Sequence, residues 1–185
     1  MRTVQITSLA GPGALELSDL PEPEASHMLT PGEGVIVDVR CAGVSFPEVL
    51  QSRGEYQLQP ELPFGPGSEG AGVVRSAPER SGIEPGARVA AFCLLGGFAE
   101  VAVAPKHLVF DLPEELDFAQ GAALILNYHT AWFCLAWRGQ LREGETVLAP
   151  RPFATWIDAV PTPPAAPWTS TLSPSASRPR SFSAK

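Results

Sequence analysis

GVIVDVRCAGVSFPEVLQSRG, from Gly34 to Gly54, is the stretch that decides the fold. Three valines at every second position, beginning with Val35, share one face of an extended chain, which is typical of a strand with one side on the core. Ser45 then stands before Pro47 as an N-cap with proline in the first turn, so a short helix is predicted. Gly54 is its natural end.

Short β-rich runs dominate the chain on both sides of this stretch, and turns rich in glycine and proline separate them. This density of short strands predicts a mainly β fold, a closed or partly open barrel, with no parallel winding of strands and helices. The further predicted strands are Val4–Thr7, Gly72–Arg75, Ala87–Phe92, Phe98–Val103 and Leu108–Phe110.

A second, longer helix is predicted from Asp117 to Arg138. The Asp117 carboxylate can cap the first turn while Gln120 reaches back, which is a variant of the capping box. The interior of this helix is apolar nearly all round, which predicts burial between two layers. After the stop at Gly139, GETVL (Gly144–Leu148) is predicted to open a buried strand.

The composition limits the classes of partner. A net charge of −7 without a cluster of Lys and Arg argues against nucleic acid and against an anionic membrane surface. The first residues lack a secretory signal pattern, and apolar runs are too short to span a membrane, so a cytoplasmic location is predicted. Three scattered cysteines without C-x-x-C spacing favour reduced thiols and no metal site.

A change of composition near Pro150 divides the chain. Residues 149–185 are rich in Pro, Ser, Ala and Thr without helical or strand periodicity, which predicts a disordered tail. Residues 1–116 are expected to form the β domain. Residues 117–148 then form a linking helix and the start of one further strand.

Four stretches together resemble the zinc-independent quinone oxidoreductases (NADPH:quinone reductases) of the medium-chain dehydrogenase/reductase superfamily. They are Val39–Tyr56, Leu62–Val74, Gly86–Pro105 and Asn127–Leu148. The resemblance implies that residues 1–116 are a GroES-like barrel on the substrate side of a cleft. It implies for full-length members an α/β Rossmann domain that binds NADPH, and assembly as homodimers.

GETVL stands where the first Rossmann strand of such a family member begins. A glycine-rich turn for the cofactor pyrophosphate is expected directly after that strand, and APRPFATW is found instead. The chain is therefore expected to be truncated before the Rossmann domain and to be inactive alone. The pattern GPGSEG (Gly65–Gly70) does not replace the missing turn, because an extended run and not a helix follows it.

The resemblance also identifies candidate site residues. Zinc-dependent relatives carry Cys at the position of Ser45 and His at that of Ser68, so no zinc is implied here. Ser45 and Tyr56 are the candidates for the substrate and nicotinamide cleft, although many relatives have Asn at the position of Ser45. Asn127 and Thr130 are the candidates for cofactor binding.

Each candidate has a structural alternative. Asn127 and Thr130 could hydrogen-bond neighbouring backbone on a buried helix. Tyr56 could pack its ring on the barrel with the hydroxyl in solvent. For Glu69, a buried carboxylate that holds a loop through backbone N–H groups is favoured over a catalytic base.

The leading functional prediction is the substrate-side domain of an NADPH-dependent reductase that transfers hydride, without zinc, to small quinone or enone substrates. One alternative is a non-catalytic GroES-like module, as in a co-chaperonin, against which the long apolar helix argues. A zinc alcohol dehydrogenase is the third reading. A truncated chain is further expected to expose an apolar helix face that includes Trp132, Phe133 and Trp137.

Overall fold

The computed structural model describes residues 1–147. Met1–Cys134 form one compact unit, and a second unit begins at Leu135. The predicted disordered tail, residues 149–185, lies outside the described residues, as does Leu148 at the end of the predicted last strand.

Seven antiparallel strands form two sheets in the first unit. The smaller sheet pairs β1 with β2, and the larger is a curled half-barrel of five strands in the order β6-β3-β4-β5-β7. This confirms the predicted mainly β, partly open barrel. The strands are β1 Arg2–Ile6, β2 Leu15–Asp19, β3 Gly34–Gly43, β4 Glu69–Ser76, β5 Arg88–Phe92, β6 Val101–Pro105 and β7 Val109–Asp111.

Strand β3 is an interior strand of the larger sheet, where it pairs with both β4 and β6. Val35 and Val37 are buried in the core, as their alternation predicts, and Val39 is half-buried. At the crossing with β4, a Cβ on Gly72 would lie 2.0 Å from the carbonyl oxygen of Asp38. Only glycine lets the two backbones approach so closely.

The helix predicted after β3 is α1, Phe46–Ser52, with Ser45 as its N-cap. The Ser45 backbone N–H donates to Oε2 of Glu48 at 2.9 Å, which satisfies an amide at the helix start. Gly54 follows the helix with φ +68°, a left-handed conformation that favours glycine. The prediction for this segment is therefore confirmed.

The long helix, residues 118–138, begins after Asp117 as predicted. Asp117 Oδ1 accepts from the Gln120 N–H at 2.7 Å, and Gln120 Oε1 accepts from the Asp117 N–H at 2.9 Å. The helix alternates between two geometries. It comprises α2 Phe118–Ala123, a π-helical segment Leu124–Tyr128, α3 His129–Trp132 and a second π-helical segment Phe133–Arg138.

Only the beginning of the long helix is buried, which corrects the prediction of burial all along it. Ala122 and Ile125 pack into a core cluster with Ala71 and Leu112. Gly121 lets Leu112 approach, since a Cβ there would lie 2.8 Å from the Leu112 side chain. Helix α2 therefore packs on one face of the larger sheet, against β3, β4 and β5.

Three large apolar residues farther along are exposed, as expected. In the first unit Trp132 is 61% exposed and Phe133 is 47% exposed, and in the second unit Trp137 is 67% exposed. Adjacent aromatic side chains in water favour association between copies.

Replacing Trp132 and Phe133 together by serine should therefore reduce self-association of the chain. Removing two exposed aromatic side chains takes away the apolar area that two copies can bury. Sedimentation velocity and binding of a hydrophobic dye measure the effect. Leu17→Ser is the matched control, since Leu17 is an exposed apolar residue on β2. Equal association of both variants would contradict the expectation.

The described part of the second unit contains the end of the long helix and the residues that follow it. The Leu141 N–H donates to the Leu135 carbonyl at 3.0 Å, and Gln140 takes a left-handed φ of +48°. Gly144 lies in a turn, and residues 145–147 belong to no strand. The strand predicted from Gly144 is therefore not formed in the part that the structure describes.

Within residues 1–147, no helix combines the length and the apolar character that a membrane crossing requires.

Candidate functional site

Two buried carboxylates meet beside Ser45, where β3 passes into α1. Glu69, the first residue of β4, is fully buried, and Glu48 on α1 is buried as well. Ser45 is half-buried and contacts both carboxylates. A buried carboxylate requires hydrogen-bond donors to compensate for the water it has lost.

Glu48 receives three donors. Its Oε1 accepts from the Ser68 N–H at 2.9 Å and from the Ser68 hydroxyl at 2.6 Å, and its Oε2 accepts from the Ser45 N–H. Glu48 thereby ties the start of α1 to the residue before β4. It fixes the position of Ser45 relative to the sheet.

Glu69 joins the same serine to the long helix. Its Oε1 lies 3.2 Å from the Ser45 Oγ, and its Oε2 accepts from the Leu126 N–H at 2.6 Å. The helix is π-helical over Leu124–Tyr128, where the carboxylate takes an amide that an undisturbed helix would bond internally. Glu69 therefore holds backbone N–H groups, as favoured from the sequence, but on a helix and not a loop.

Burial is the largest influence on the Glu69 carboxyl and raises its pKa above the ordinary value of 4.5. The hydrogen bonds from Leu126 and Ser45 act in the opposite direction, and the charge of Glu48 adds to the rise. Burial also raises the pKa of the neighbouring Cys93 thiol to about 12, with a smaller contribution from Glu69. The pocket thus disfavours negative charge.

The raised pKa of Glu69 should make the chain lose stability as pH rises. The unfolded state releases the proton near 4.5 and the folded state only at higher pH, so the folded state binds more protons in that window. The contribution is complete below 4.5 and is lost as pH rises through the folded pKa. Urea unfolding at a series of pH values should show that Glu69→Gln removes this slope.

Glu100→Gln is the matched control for that series. Hydrogen bonds from Arg2 lower the pKa of Glu100, so its contribution to stability is lost as pH falls, which is the opposite sign. If Glu69→Gln and Glu100→Gln changed the pH profile in the same direction, the assignment of the slope to Glu69 would be wrong.

The predicted candidates occupy different places around this pair of carboxylates. Thr130 is exposed, and its hydroxyl donates to the Leu126 carbonyl at 2.5 Å. Such a bond to neighbouring backbone is the structural alternative to cofactor binding that the sequence analysis gave for Thr130. Asn127 follows Leu126 on the helix, is half-buried and makes no side-chain hydrogen bond within the described residues. Glu69 therefore brings Ser45 and the Asn127 segment together.

Tyr56 lies after α1, is half-buried and makes no side-chain hydrogen bond within residues 1–147. No hydrogen bond joins it to the two carboxylates among those residues. Its place in the cleft remains a prediction.

Glu48 was not among the candidates, although the sequence carries its signal. Ser45-Phe46-Pro47-Glu48 has the Ser-x-x-Glu spacing of a capping box. Spacing alone shows the bond to the Ser45 amide but not the bonds to Ser68, which lies on another element.

A second polar contact near Cys93 also escaped the sequence. His27 is buried, its Nε2 lies 2.9 Å from the Cys93 carbonyl, and its Nδ1 accepts from the Leu29 N–H at 3.1 Å. These partners assign the ring proton to Nε2, and the contact anchors the segment before β3.

The glycine-rich stretch Gly65–Gly70 is a turn that enters β4, as its sequence context predicted. Gly67 takes φ +106°, and Gly70 already belongs to the strand. The described residues also contain no group of three His, Cys, Asp or Glu side chains arranged to hold a metal ion.

Comparison with known proteins shows which family and which proteins this chain resembles. Residues 31–114 match the family described as alcohol dehydrogenase GroES-like domain. The human quinone oxidoreductase is 37% identical over 151 residues, which are 80% of this chain and 44% of that protein. The chain thus spans less than half the length of this relative.

Two solved structures are similar to this chain in fold and in sequence. A probable oxidoreductase from Mycobacterium abscessus has a TM-score of 0.73 and 51% identity over 79% of this chain and 45% of its own. The quinone oxidoreductase from Thermus thermophilus, solved also with NADPH, has a TM-score of 0.66 and 36% identity over 80% and 44%. The chain is therefore similar to the amino-terminal part of the quinone oxidoreductases of the medium-chain dehydrogenase/reductase superfamily, and its residues 31–114 are similar to the alcohol dehydrogenase GroES-like domain.

Proposed function

We propose that this chain forms the substrate side of an NADPH-dependent oxidoreductase that transfers hydride to quinones or similar carbonyl and enone compounds. The observation that carries the proposal is the similarity to quinone oxidoreductases across 80% of the chain. Ser45, whose backbone N–H bonds Glu48 and whose hydroxyl bonds Glu69, is half-buried and supports the proposal as a residue whose hydroxyl can meet a substrate oxygen.

The proposed reaction uses no zinc. Serine hydroxyls at Ser45 and Ser68 are poor zinc ligands compared with thiolate or imidazole. The Ser68 hydroxyl is moreover engaged by Glu48. Hydrogen-bond donors would then polarise the substrate carbonyl, and Ser45 is the donor that we assign to this role, in which its hydroxyl would turn from Glu69 Oε1 to the substrate oxygen.

A flat apolar substrate suits the surroundings of Ser45. Its two neighbours in sequence, Val44 and Phe46, are 77% and 70% exposed. Apolar side chains on either side of a fixed hydroxyl can cover the ring of a quinone while the hydroxyl meets its oxygen. Small-molecule quinones or enones are therefore the proposed substrates, and Tyr56 is the other proposed cleft residue.

Asn127 and Thr130 are the residues that we propose to contact the nicotinamide end of the cofactor. Asn127 offers a half-buried side-chain amide without a hydrogen bond in residues 1–147, which can bind the carboxamide of a nicotinamide. Thr130 is the second proposed contact, although its hydroxyl now bonds Leu126. When bound, the nicotinamide would supply the hydride. A cytoplasmic location and homodimers belong to the same proposal.

Calorimetric titration of the chain with a model quinone and with NADPH, joined to a turnover assay, tests the proposal. We expect heat of binding from the quinone, and Phe46→Ser should weaken that binding. Leu17→Ser, which changes an exposed leucine on β2, should leave it unchanged. Absence of turnover and of NADPH binding by the chain alone is the expected result, whereas absence of quinone binding would favour the non-catalytic GroES-like module.

A further inference from the structure

The Glu69 carboxylate stands between the proposed substrate residue and the proposed cofactor residue. Glu69 has no exposed area, and no ion pair compensates for its charge within residues 1–147. Its Oε1 accepts from the Ser45 hydroxyl at 3.2 Å, and its Oε2 accepts from the Leu126 N–H at 2.6 Å. A buried carboxylate depends on its hydrogen-bond donors, so these two bonds together stabilise one charged group.

Close backbone packing surrounds the carboxylate. A Cβ on Gly43, at the end of β3, would lie 2.6 Å from Glu69 Oε1 and 2.6 Å from the Ala122 carbonyl oxygen. The end of β3 and the long helix therefore approach each other closely around Glu69. The proposed cofactor residue Asn127 belongs to the π-helical segment Leu124–Tyr128, and π-helical turns are frequent at functional sites. The geometry thus ties Glu69 to the part of the helix that carries Asn127.

The two hydrogen bonds to Glu69 influence each other because both oxygens belong to one delocalised carboxylate. In the proposed function, the Ser45 hydroxyl turns from Oε1 to the substrate oxygen. Oε1 then loses its donor, less of the carboxylate charge is compensated, and the bond from the Leu126 N–H to Oε2 becomes stronger. A stronger bond holds the helix segment that carries Asn127 more firmly.

We propose that Glu69 is a positioning residue that couples substrate binding at Ser45 to the placement of Asn127 for the nicotinamide. This inference rests on the proposed function and adds to it a link between the substrate and cofactor residues. A substrate that takes the Ser45 hydroxyl strengthens the bond from Leu126 to Glu69, and Asn127 is held in place. Because coupling between two sites is reciprocal, a ligand that holds the Asn127 segment also favours release of the Ser45 hydroxyl towards the substrate.

Nuclear magnetic resonance of the full chain tests the link without cofactor or turnover. Ser45→Ala removes the donor to Oε1, as a bound substrate would, and should move the Leu126 amide proton downfield and slow its exchange with solvent. Ser52→Ala is the matched control, since it removes a buried hydroxyl of α1 that donates to the Val49 carbonyl instead. The control should leave the Leu126 signal unchanged. A Leu126 signal that Ser45→Ala also leaves unchanged overturns the proposal.

Two further variants separate the coupling from a loss of local structure. Ser45→Thr keeps a hydroxyl at the N-cap of α1 and should give the Leu126 signal of the unaltered chain. In Glu69→Gln, the side-chain carbonyl can accept from Leu126 while the Nε2 donates to Ser45, so the carboxylate that couples the two bonds is absent. Adding Ser45→Ala to Glu69→Gln should therefore leave the Leu126 signal where Glu69→Gln alone has it. A shift of the same size with and without the carboxylate would show that Ser45 acts on the helix by another route.

Titration with duroquinone adds a substrate to the same measurement. Every ring C–H position of this quinone carries a methyl group, so the exposed Cys134 thiol has no open position to which it could add. We expect heat of binding by calorimetry and a downfield movement of the Leu126 amide proton, in the direction that Ser45→Ala gives. Heat of binding without a response of Leu126 overturns the coupling and leaves the proposed function in place. If duroquinone gives no heat of binding, the proposed function fails, and the comparison of Ser45→Ala with the unaltered chain decides the coupling.

Discussion

Replacing Gly72 by alanine should lower the free energy of unfolding by about 3 kcal/mol, a large fraction of the stability of a typical domain. The new Cβ would stand 2.0 Å from the Asp38 carbonyl oxygen and 3.0 Å from the Val37 side chain. Strands β3 and β4 would have to separate at the centre of the larger sheet. Urea unfolding followed by tryptophan fluorescence measures the loss.

Gly13→Ala is the matched control for this substitution. Gly13 lies in the turn Pro12–Ala14, and a Cβ there would meet no atom within 4 Å. Its variant should be as stable as the unaltered chain or slightly more so, because alanine restricts the unfolded state. Equal stability of the Gly72 and Gly13 variants would refute the close approach of β3 and β4.

Replacing Glu69 by alanine should likewise cost about 3 kcal/mol of the free energy of unfolding. The change leaves the Leu126 N–H without its partner and opens space between β4 and the long helix. Hydrogen exchange should show faster exchange of the Leu126 amide than in the unaltered chain. Glu69→Gln should cost less, since it keeps an acceptor oxygen and the side-chain volume.

Glu100→Ala controls for the loss of a carboxylate as such. Glu100 is exposed and pairs with Arg2 at the surface, where ion pairs contribute little. Its variant should unfold at nearly the urea concentration of the unaltered chain. A loss as large as that of Glu69→Ala would mean that overall charge, and not the buried contact, sets the stability.

Local signals explain which elements were predictable. The valine alternation of β3, the N-cap at Ser45 and the capping box at Asp117 act within a few residues, and the structure has all three. Strand β2, Leu15–Asp19, was not predicted because its side chains are mostly exposed and its pairing with β1 defines it. Long-range pairing leaves no local period to detect.

The site was predictable only in part for the same reason. The resemblance singled out Ser45, and the pattern around Glu69 indicated a buried carboxylate. The bond from Leu126 to Glu69 joins residues far apart in the chain, and no spacing indicates it. The π-helical segment Leu124–Tyr128 contains the amide that bonds Glu69, whereas sequence reasoning predicted an ordinary buried helix there.

The strand order has a consequence for synthesis on the ribosome. Val35 of β3 pairs with Ala104 of β6, so β3 lacks this partner until much later in translation. At about 5–20 residues per second, this edge of the nascent strand stays open for several seconds. Asp38 and Arg40 interrupt its apolar run with charges of both signs. Such charges discourage pairing with neighbouring nascent chains on a polysome until β6 arrives.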